Sequence, residues 1–261
     1  MIFTRALSLQ VRRASDLLGV PLPKDLAAEL ARIAEFIDNA EAIPSGGALV
    51  GTVLDALAEG RDDYHRDPEV IRMLLHHTLV NNGIAETAHD RANGEIASAL
   101  VQYSDDTMAT WARALQPHAD ALVAAAQVLP ADLDDVRGIT RKGTDALQHW
   151  ASAQDALPKW HAAVDGVKAL RSAARMGDAD ALLLISDADL QTLSEVRVTA
   201  ASEGTQPNVW TLARHGIRPR LVTDLGEIME RSAAHQQQRA EAMSTHEYQQ
   251  VDTSASEALS A

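Results

Sequence analysis

The chain has 261 residues, enough to bury a core in one large domain or two small ones, and its 46% hydrophobic and 3% aromatic content is typical of closely packed helices. Its formal net charge of −14 disfavours general binding to a phosphate backbone, which needs a surplus of Lys and Arg. The absence of cysteine excludes disulfides, thiolate metal sites and cysteine nucleophiles.

The first residues, MIFTRALSLQVRRASDLLGV, lack the uninterrupted apolar core of a signal peptide. No stretch of the sequence approaches the ~18 consecutive apolar residues that a membrane span requires. The sequence therefore predicts a cytoplasmic protein without membrane contact, or one inside a host cell or virion if the protein is viral.

Residues 1–83 form a predicted N-terminal helical segment. Helices are expected at 3–20, at 24–40 and at about 48–59, separated by Pro21 and by a break at residues 44–47. A charged loop at 61–67 leads to Asp67 and Pro68, a capping carboxylate followed by proline at the first helical position. That helix should end at Asn81-Asn82-Gly83, a good C-terminal signal.

Residues 84–176 are predicted to form a long antiparallel helical hairpin whose turn lies at 129–132. Pro117 and Pro158 should kink or break the two arms, and Asp132 is expected to cap the second one. In both arms the large apolar residues recur at helical spacing, close to 3.5 residues in the second arm, which predicts a seam between them. The first arm carries Ile96, Leu100, Tyr103, Met108, Trp111, Leu115, Leu122 and Leu129; the second carries Val136, Ile139, Leu147, Trp150, Leu157, Trp160, Val164, Val167 and Leu170.

Three of the four tryptophans, Trp111, Trp150 and Trp160, fall in this seam. Two interpretations apply to them. Tryptophan is usually largely buried, which favours filling of the core. Tryptophan is also enriched at binding hot spots, which makes the same three residues candidate interface anchors.

Residues 177–230 are predicted to form a small C-terminal helical region. Residues 181–185 fit either a buried strand or a short helix, and Ser186 with Asp189 resembles a capping pair for the helix that follows. A short helix should end at Gly216, and Pro219 should open the last one. Residues 231–261 lose the apolar stripe and predict a helix that frays into a flexible tail.

One spacing is compatible with metal chemistry. Glu86 and His89 are three residues apart, which places a carboxylate and an imidazole on one helix face, as in helical di-iron proteins. His76 and His77 precede them on the neighbouring predicted helix. These four residues are the candidate ligands of a helical-bundle metalloenzyme, but a single such motif more often consists of solvated side chains. No cofactor is therefore expected.

Residues 211–223 are locally basic, with Arg214, Arg218 and Arg220 and no acid. The stretch resembles the Leu-Ala-Arg turn of DNA-binding helix-turn-helix domains, which implies a regulator that uses residues 208–230. It departs from that pattern because Ala213 and Gly216 are three residues apart instead of four, and because acids follow at Asp224 and Glu227. The alternatives are a short basic patch that contacts an acidic protein surface, or a plain turn.

The sequence predicts an all-α fold and contains no recognisable catalytic motif. We expect a non-enzymatic interaction or assembly protein of adaptor, scaffold or virion-assembly type, as in a phage or prophage. Its partners are expected to be proteins, including further copies of itself, rather than nucleic acid. The helix-turn-helix regulator and the helical-bundle metalloenzyme are the two alternatives.

Overall fold

The structure, a computed structural model, describes residues 3–43, 47–61 and 63–258. Within these ranges the chain forms helices and no strand, which confirms the all-α prediction. No helix in the same ranges is both long and apolar enough to cross a membrane. Most of the break expected at residues 44–47, and part of the charged loop at 61–67, lie outside the described residues.

The described part of the chain contains twelve α-helices and one short 3₁₀ helix, η1. Their bounds are α1 Phe3–Leu18, α2 Lys24–Glu41, α3 Gly47–Ala58, η1 Tyr64–Arg66, α4 Pro68–Asn81, α5 Ile84–Gln102, α6 Ser104–Val128, α7 Val136–Arg141, α8 Thr144–Ala173, α9 Ala181–Ile185, α10 Leu190–Ser202, α11 Val209–Arg214 and α12 Leu225–Ala258. The four N-terminal helices follow their predicted bounds closely, because each has a clear stop or cap in the sequence.

The chain folds into two compact units that are interleaved in sequence. Unit 1 comprises residues 1–6 and 24–100, and unit 2 comprises residues 7–23 and 101–261. These boundaries differ from the divisions at 83 and 176 suggested by the sequence. The first boundary moves because α5, which the sequence assigned to the hairpin, belongs to unit 1. The second disappears because residues 101–261 belong to one unit.

In unit 1, α2 and α5 run antiparallel. Arg32 of α2 forms an ion pair with Glu95 of α5 at 2.6 Å, and the Arg91 guanidinium lies 5.6 Å from the centre of the Phe36 ring. The predicted stripe of α2 is buried as expected, since Leu26, Leu30, Ile33 and Ile37 are all shielded from solvent.

The first arm of the predicted hairpin is two helices, and this part of the prediction is wrong. The chain breaks at Tyr103, where the Ser104 hydroxyl donates to the Val101 carbonyl and competes with the helical hydrogen bonds. Asp105 and Asp106 then lie in the first turn of α6, where carboxylates stabilise a helix N-terminus. In contrast, the helices continue through Pro117 and Pro158.

The hairpin itself exists in unit 2 as the antiparallel pair α6 and α8, with α7 between them. Lys142 donates to the Val128 carbonyl at 2.7 Å and links the two ends of the connection. The cap predicted at Asp132 is also wrong, because Asp132 accepts from the Asp134 N–H within the loop. Asp135 caps α7 instead, and Gly143 precedes α8.

The seam of α8 consists mostly of small residues. Ala153, Ala156 and Ala163 are fully buried together with Trp160, whereas Leu157 and Val164 of the predicted series are only partly buried. Gly166 lies directly against Trp111, since a Cβ added at residue 166 would come within 2.6 Å of the indole ring. The small side chains allow the two helices to approach closely around that ring.

In the C-terminal part of unit 2, residues 181–185 form a helix, α9, and not a strand. Asp180 caps this helix. The extended segment after Gly216 is held by α9, because Arg220 and Val222 donate their backbone N–H groups to the Ile185 and Leu184 carbonyls. Pro219 therefore lies in this segment and does not open the last helix, a correction to the prediction. Asp224 accepts from the Glu227 N–H at the start of α12.

Helix α12 continues to Ala258, beyond the residue at which fraying was predicted. From Gln236 to Met243 its side chains are exposed, in agreement with the loss of an apolar stripe in the sequence.

Candidate functional site

The candidate site lies on the helical pair α3 and α4 of unit 1. Asp67 positions the start of α4, because its carboxylate accepts from the Glu69 N–H at 2.8 Å and forms an ion pair with Arg61 at 2.6 Å. Ala56 of α3 and Val70 of α4 are buried. Local capping and packing thus hold the two helices together.

The same two helices expose large aliphatic side chains. We call this set the α3–α4 apolar stripes: Val50, Leu54 and Leu57 on α3, and Ile71, Leu74 and Leu75 on α4, each between 50% and 60% exposed. The spacing of i, i+4, i+7 on α3 and of i, i+3, i+4 on α4 places each set on one side of its helix. Each helix therefore presents a continuous aliphatic stripe to solvent.

The concentration of these residues distinguishes the stripes from ordinary surface. Of the thirteen large hydrophobic side chains that are exposed in the described part of the chain, six belong to α3 and α4. Single exposed apolar residues are normal on a protein surface, whereas clustered ones mark interaction sites. This cluster is the strongest candidate for a functional surface.

Few charges border the stripes. Asp55 is the only charged residue of α3, and it follows Leu54 directly. On α4, Arg72 follows Ile71 and pairs with Glu69 at 2.5 Å. The arrangement suits burial of the aliphatic side chains against a partner, because depletion of charge is characteristic of interface cores.

The four candidate metal ligands do not converge. His89 Nε2 lies 2.9 Å from Glu41 of α2, and His77 Nε2 lies 2.9 Å from the side-chain amide of Asn81. Among the described residues there is no group of three or more His, Asp and Glu side chains that could hold a metal ion. His76 and Glu86 take part in neither the His89–Glu41 contact nor the His77–Asn81 contact.

Two of the three candidate anchor tryptophans are core residues of unit 2. Trp111 is fully buried and donates from Nε1 to the Ser15 hydroxyl at 3.0 Å, and Trp160 is 1% exposed. Trp150 is partly buried and donates to the Leu133 carbonyl at 2.9 Å. Trp111 and Trp160 thus pack within the chain and cannot contact a partner without repacking.

The fourth tryptophan, Trp210 of α11, was not among the candidate residues predicted from the sequence. It is 7% exposed, and its Nε1 donates to the Ala131 carbonyl at 2.9 Å, so it ties α11 to the loop after α6. The adjoining Leu212 and Ala213, part of the resemblance to a helix-turn-helix, are buried as well. Their burial leaves little of α11 available to a ligand.

Each arginine of the basic segment pairs with a carboxylate. Arg214 contacts Glu203 at 2.7 Å, and Arg218 contacts Asp120 at 2.6 Å. The Arg218 guanidinium holds the pKa of the Asp120 carboxyl below its usual value. Arg220 contacts Asp187 at 2.8 Å and Glu227 at 3.1 Å. The local positive charge seen in the sequence is thereby neutralised in the fold.

A groove of about 1240 Å³ lies in unit 2, with α10 and α12 contributing most of its lining. Its polar side chains mainly hold the helices together: Asp180 pairs with Arg197, Asp189 caps α10, and the Gln238 amide oxygen accepts from the Leu190 N–H. Because these polar groups are used in contacts within the fold, we interpret the groove as a gap between packed helices.

The chain matches no protein-family model, no curated protein and no solved structure.

The sequence predicts α3 and α4 but not the exposure of their stripes. The available signal was the composition of α3, GALVGTVLDALA, in which apolar residues occupy every side of a short helix. A helix of this kind is normally buried all round, so its apolar residues need more cover than one neighbouring helix provides.

Proposed function

We propose that this protein is a non-enzymatic helical interaction protein that binds a protein partner through the α3–α4 apolar stripes. The observation that carries the proposal is the exposure of six large aliphatic side chains on two adjacent helices. Covering them with a partner removes apolar surface from water, which is the main favourable contribution to most protein association.

Adaptors, scaffolds and virion-assembly proteins are the classes of protein in which such a surface serves as the working site. DNA binding by residues 208–230 gains no support from the geometry, because Arg214, Arg218 and Arg220 would have to leave their carboxylate partners. A metal-dependent enzyme gains none either, since the candidate ligands Glu86 and His89 are not joined by His76 and His77 in one cluster.

The test is photo-crosslinking from the stripes in an extract of the cells that make the protein. A photoreactive residue replaces Leu54 or Leu74, and Leu9 of α1, which is equally exposed at 60%, is the control position. We expect discrete protein adducts, with this chain or another, from residues 54 and 74 only. Adducts should disappear when Leu57→Glu or Ile71→Glu is added. Equal labelling from residue 9 would contradict the proposal.

A further inference from the structure

We infer that the partner of the α3–α4 apolar stripes is a second copy of this chain, which forms a dimer whose interface combines α3 and α4 of both molecules. This inference rests on the proposed function and names its partner. Two adjacent helices with exposed stripes can supply half of a four-helix bundle, and the other half can be the same pair from a second molecule. Closed twofold symmetry is the commonest form of such self-association.

The exposed area agrees with a dimer. A half-exposed aliphatic side chain offers on the order of 90 Å², so the six residues offer roughly 500 Å² per molecule. Two molecules then remove about 1,000 Å² of apolar surface from water, which reaches the lower limit for specific interfaces. Interfaces at this lower limit are typical of weak, transient association, for which we expect a dissociation constant on the order of micromolar.

The charges beside the stripes favour contact between α3 of one molecule and α4 of the other. Asp55 follows Leu54 on α3, and Arg72 follows Ile71 on α4. Packing α3 against α3 would bring two Asp55 carboxylates together. Packing α3 against α4 brings Asp55 towards Arg72, which uses one of its five N–H donors on Glu69 and keeps others for a second carboxylate. The second arrangement provides opposite charges twice in a symmetric dimer.

Solution mass tests the inference, measured by light scattering behind size exclusion from roughly 1 to 200 µM, a range that brackets the expected dissociation constant. The purified chain should pass from 28.0 kDa towards twice that mass as the concentration rises. The double variant Leu54→Glu, Leu74→Glu should remain at 28.0 kDa throughout, because a symmetric interface would bury four unpaired carboxylates.

The matched control is Leu9→Glu with Val198→Glu, which adds the same charge at two exposed aliphatic residues of unit 2 and should dimerise like the wild type. Far-UV circular dichroism and tryptophan fluorescence establish that both double variants are folded. A wild-type chain that stays monomeric over the whole range would overturn the inference, and so would a mass that grows beyond the dimer without limit.

Charge reversal tests the arrangement of the helices. Asp55→Arg should weaken the dimer about three- to tenfold, because two pairs change in a symmetric interface. Adding Arg72→Asp should restore the wild-type dissociation constant. If the double variant Asp55→Arg, Arg72→Asp loses at least as much dimer affinity as the two single variants together, α3 and α4 of different molecules are not in contact.

Failure of the dimer and failure of the proposed function are distinguishable. A monomeric chain that still gives adducts with another protein from residues 54 and 74 means that the surface binds a different partner. A monomeric chain with no adducts from either residue overturns both proposals.

Discussion

Two helical pairs of this protein, α6 with α8 and α3 with α4, differ in whether their apolar stripes are buried or exposed. Trp111, Leu115 and Leu122 of α6 are buried, whereas Leu54 of α3 and Leu74 of α4 are more than half exposed. Both sets recur at helical spacing, so periodicity alone does not distinguish a core from a surface. Burial depends on whether another element of the chain covers the stripe.

The comparison also shows how cover is achieved. In unit 2 the α6–α8 pair is joined by α1, whose Ser15 bonds to Trp111, and by α11, whose Trp210 reaches the Ala131 carbonyl. In unit 1 the α3–α4 pair contacts η1, a single turn that is too short to cover two stripes. Within the described residues of unit 1, this lack of neighbouring helices leaves the aliphatic side chains exposed.

The largest expected effect comes from the same substitution in the two pairs. Leu122→Ala, at a fully buried residue, should lower the free energy of unfolding of unit 2 by about 2–5 kcal/mol through lost burial and a cavity. Leu54→Ala should change the free energy of unfolding of unit 1 by less than about 0.5 kcal/mol, since that side chain is 60% exposed.

Urea unfolding followed by far-UV circular dichroism measures both variants, because both units are helical and contribute to the signal. Equal losses from the two substitutions would contradict the assignment of one stripe to the core and the other to the surface.

A smaller effect is expected at Gly166 of α8, which lies against the Trp111 ring of α6. Gly166→Ala should destabilise unit 2 by about 2–3 kcal/mol, because the added Cβ would lie 2.6 Å from the Trp111 ring and 3.0 Å from the Ala14 Cβ. Gly94→Ala in α5 is the control, since its Cβ meets nothing within 4 Å. Gly94→Ala should raise the free energy of unfolding by about 0.5–1 kcal/mol, measured by unfolding followed by circular dichroism. A neutral Gly166→Ala would show that the seam has spare room.

The smallest effect concerns pH and the start of α12. Burial acts to raise the pKa of Glu227, but the Thr223 N–H and the Arg231 guanidinium outweigh it and hold that pKa below its usual value of 4.5. Ionised Glu227 therefore stabilises the fold above about pH 4.5, and this contribution is lost as the pH falls through the lowered pKa.

Glu227→Gln should accordingly lower the free energy of unfolding by about 1–2 kcal/mol at pH 7. The difference in stability between this variant and the wild type should shrink as the pH falls below the usual pKa. Glu230→Gln, at an exposed residue of the same helix, is the control for the loss of a carboxylate. The measurement is urea unfolding of the three proteins at a series of pH values. A gap between wild type and Glu227→Gln that is constant from pH 7 to pH 3 would refute the role of the ionised carboxylate.

Much of the helical architecture was predictable from local chemistry. Asp67 and Pro68 define the start of α4, and the stripe of α2 appears intact in the sequence. Of the predicted capping pair Ser186 and Asp189, only Asp189 caps α10, whereas Ser186 accepts from the Ala188 N–H. Capping and periodicity act over a few residues, so they can be read without knowledge of the fold. The buried tryptophans Trp111 and Trp160 were likewise accessible to sequence reasoning.

What the sequence by itself determined is therefore the all-α class and most of the helix bounds, because capping groups, prolines and apolar spacing act locally. Only the tertiary structure decided that α5 belongs to unit 1, that alanines form the α8 seam, that carboxylates distant in sequence neutralise Arg218 and Arg220, and that the α3–α4 apolar stripes stay exposed. Each of these outcomes depends on which elements meet in space, and contacts between residues far apart along the chain leave no local pattern to read.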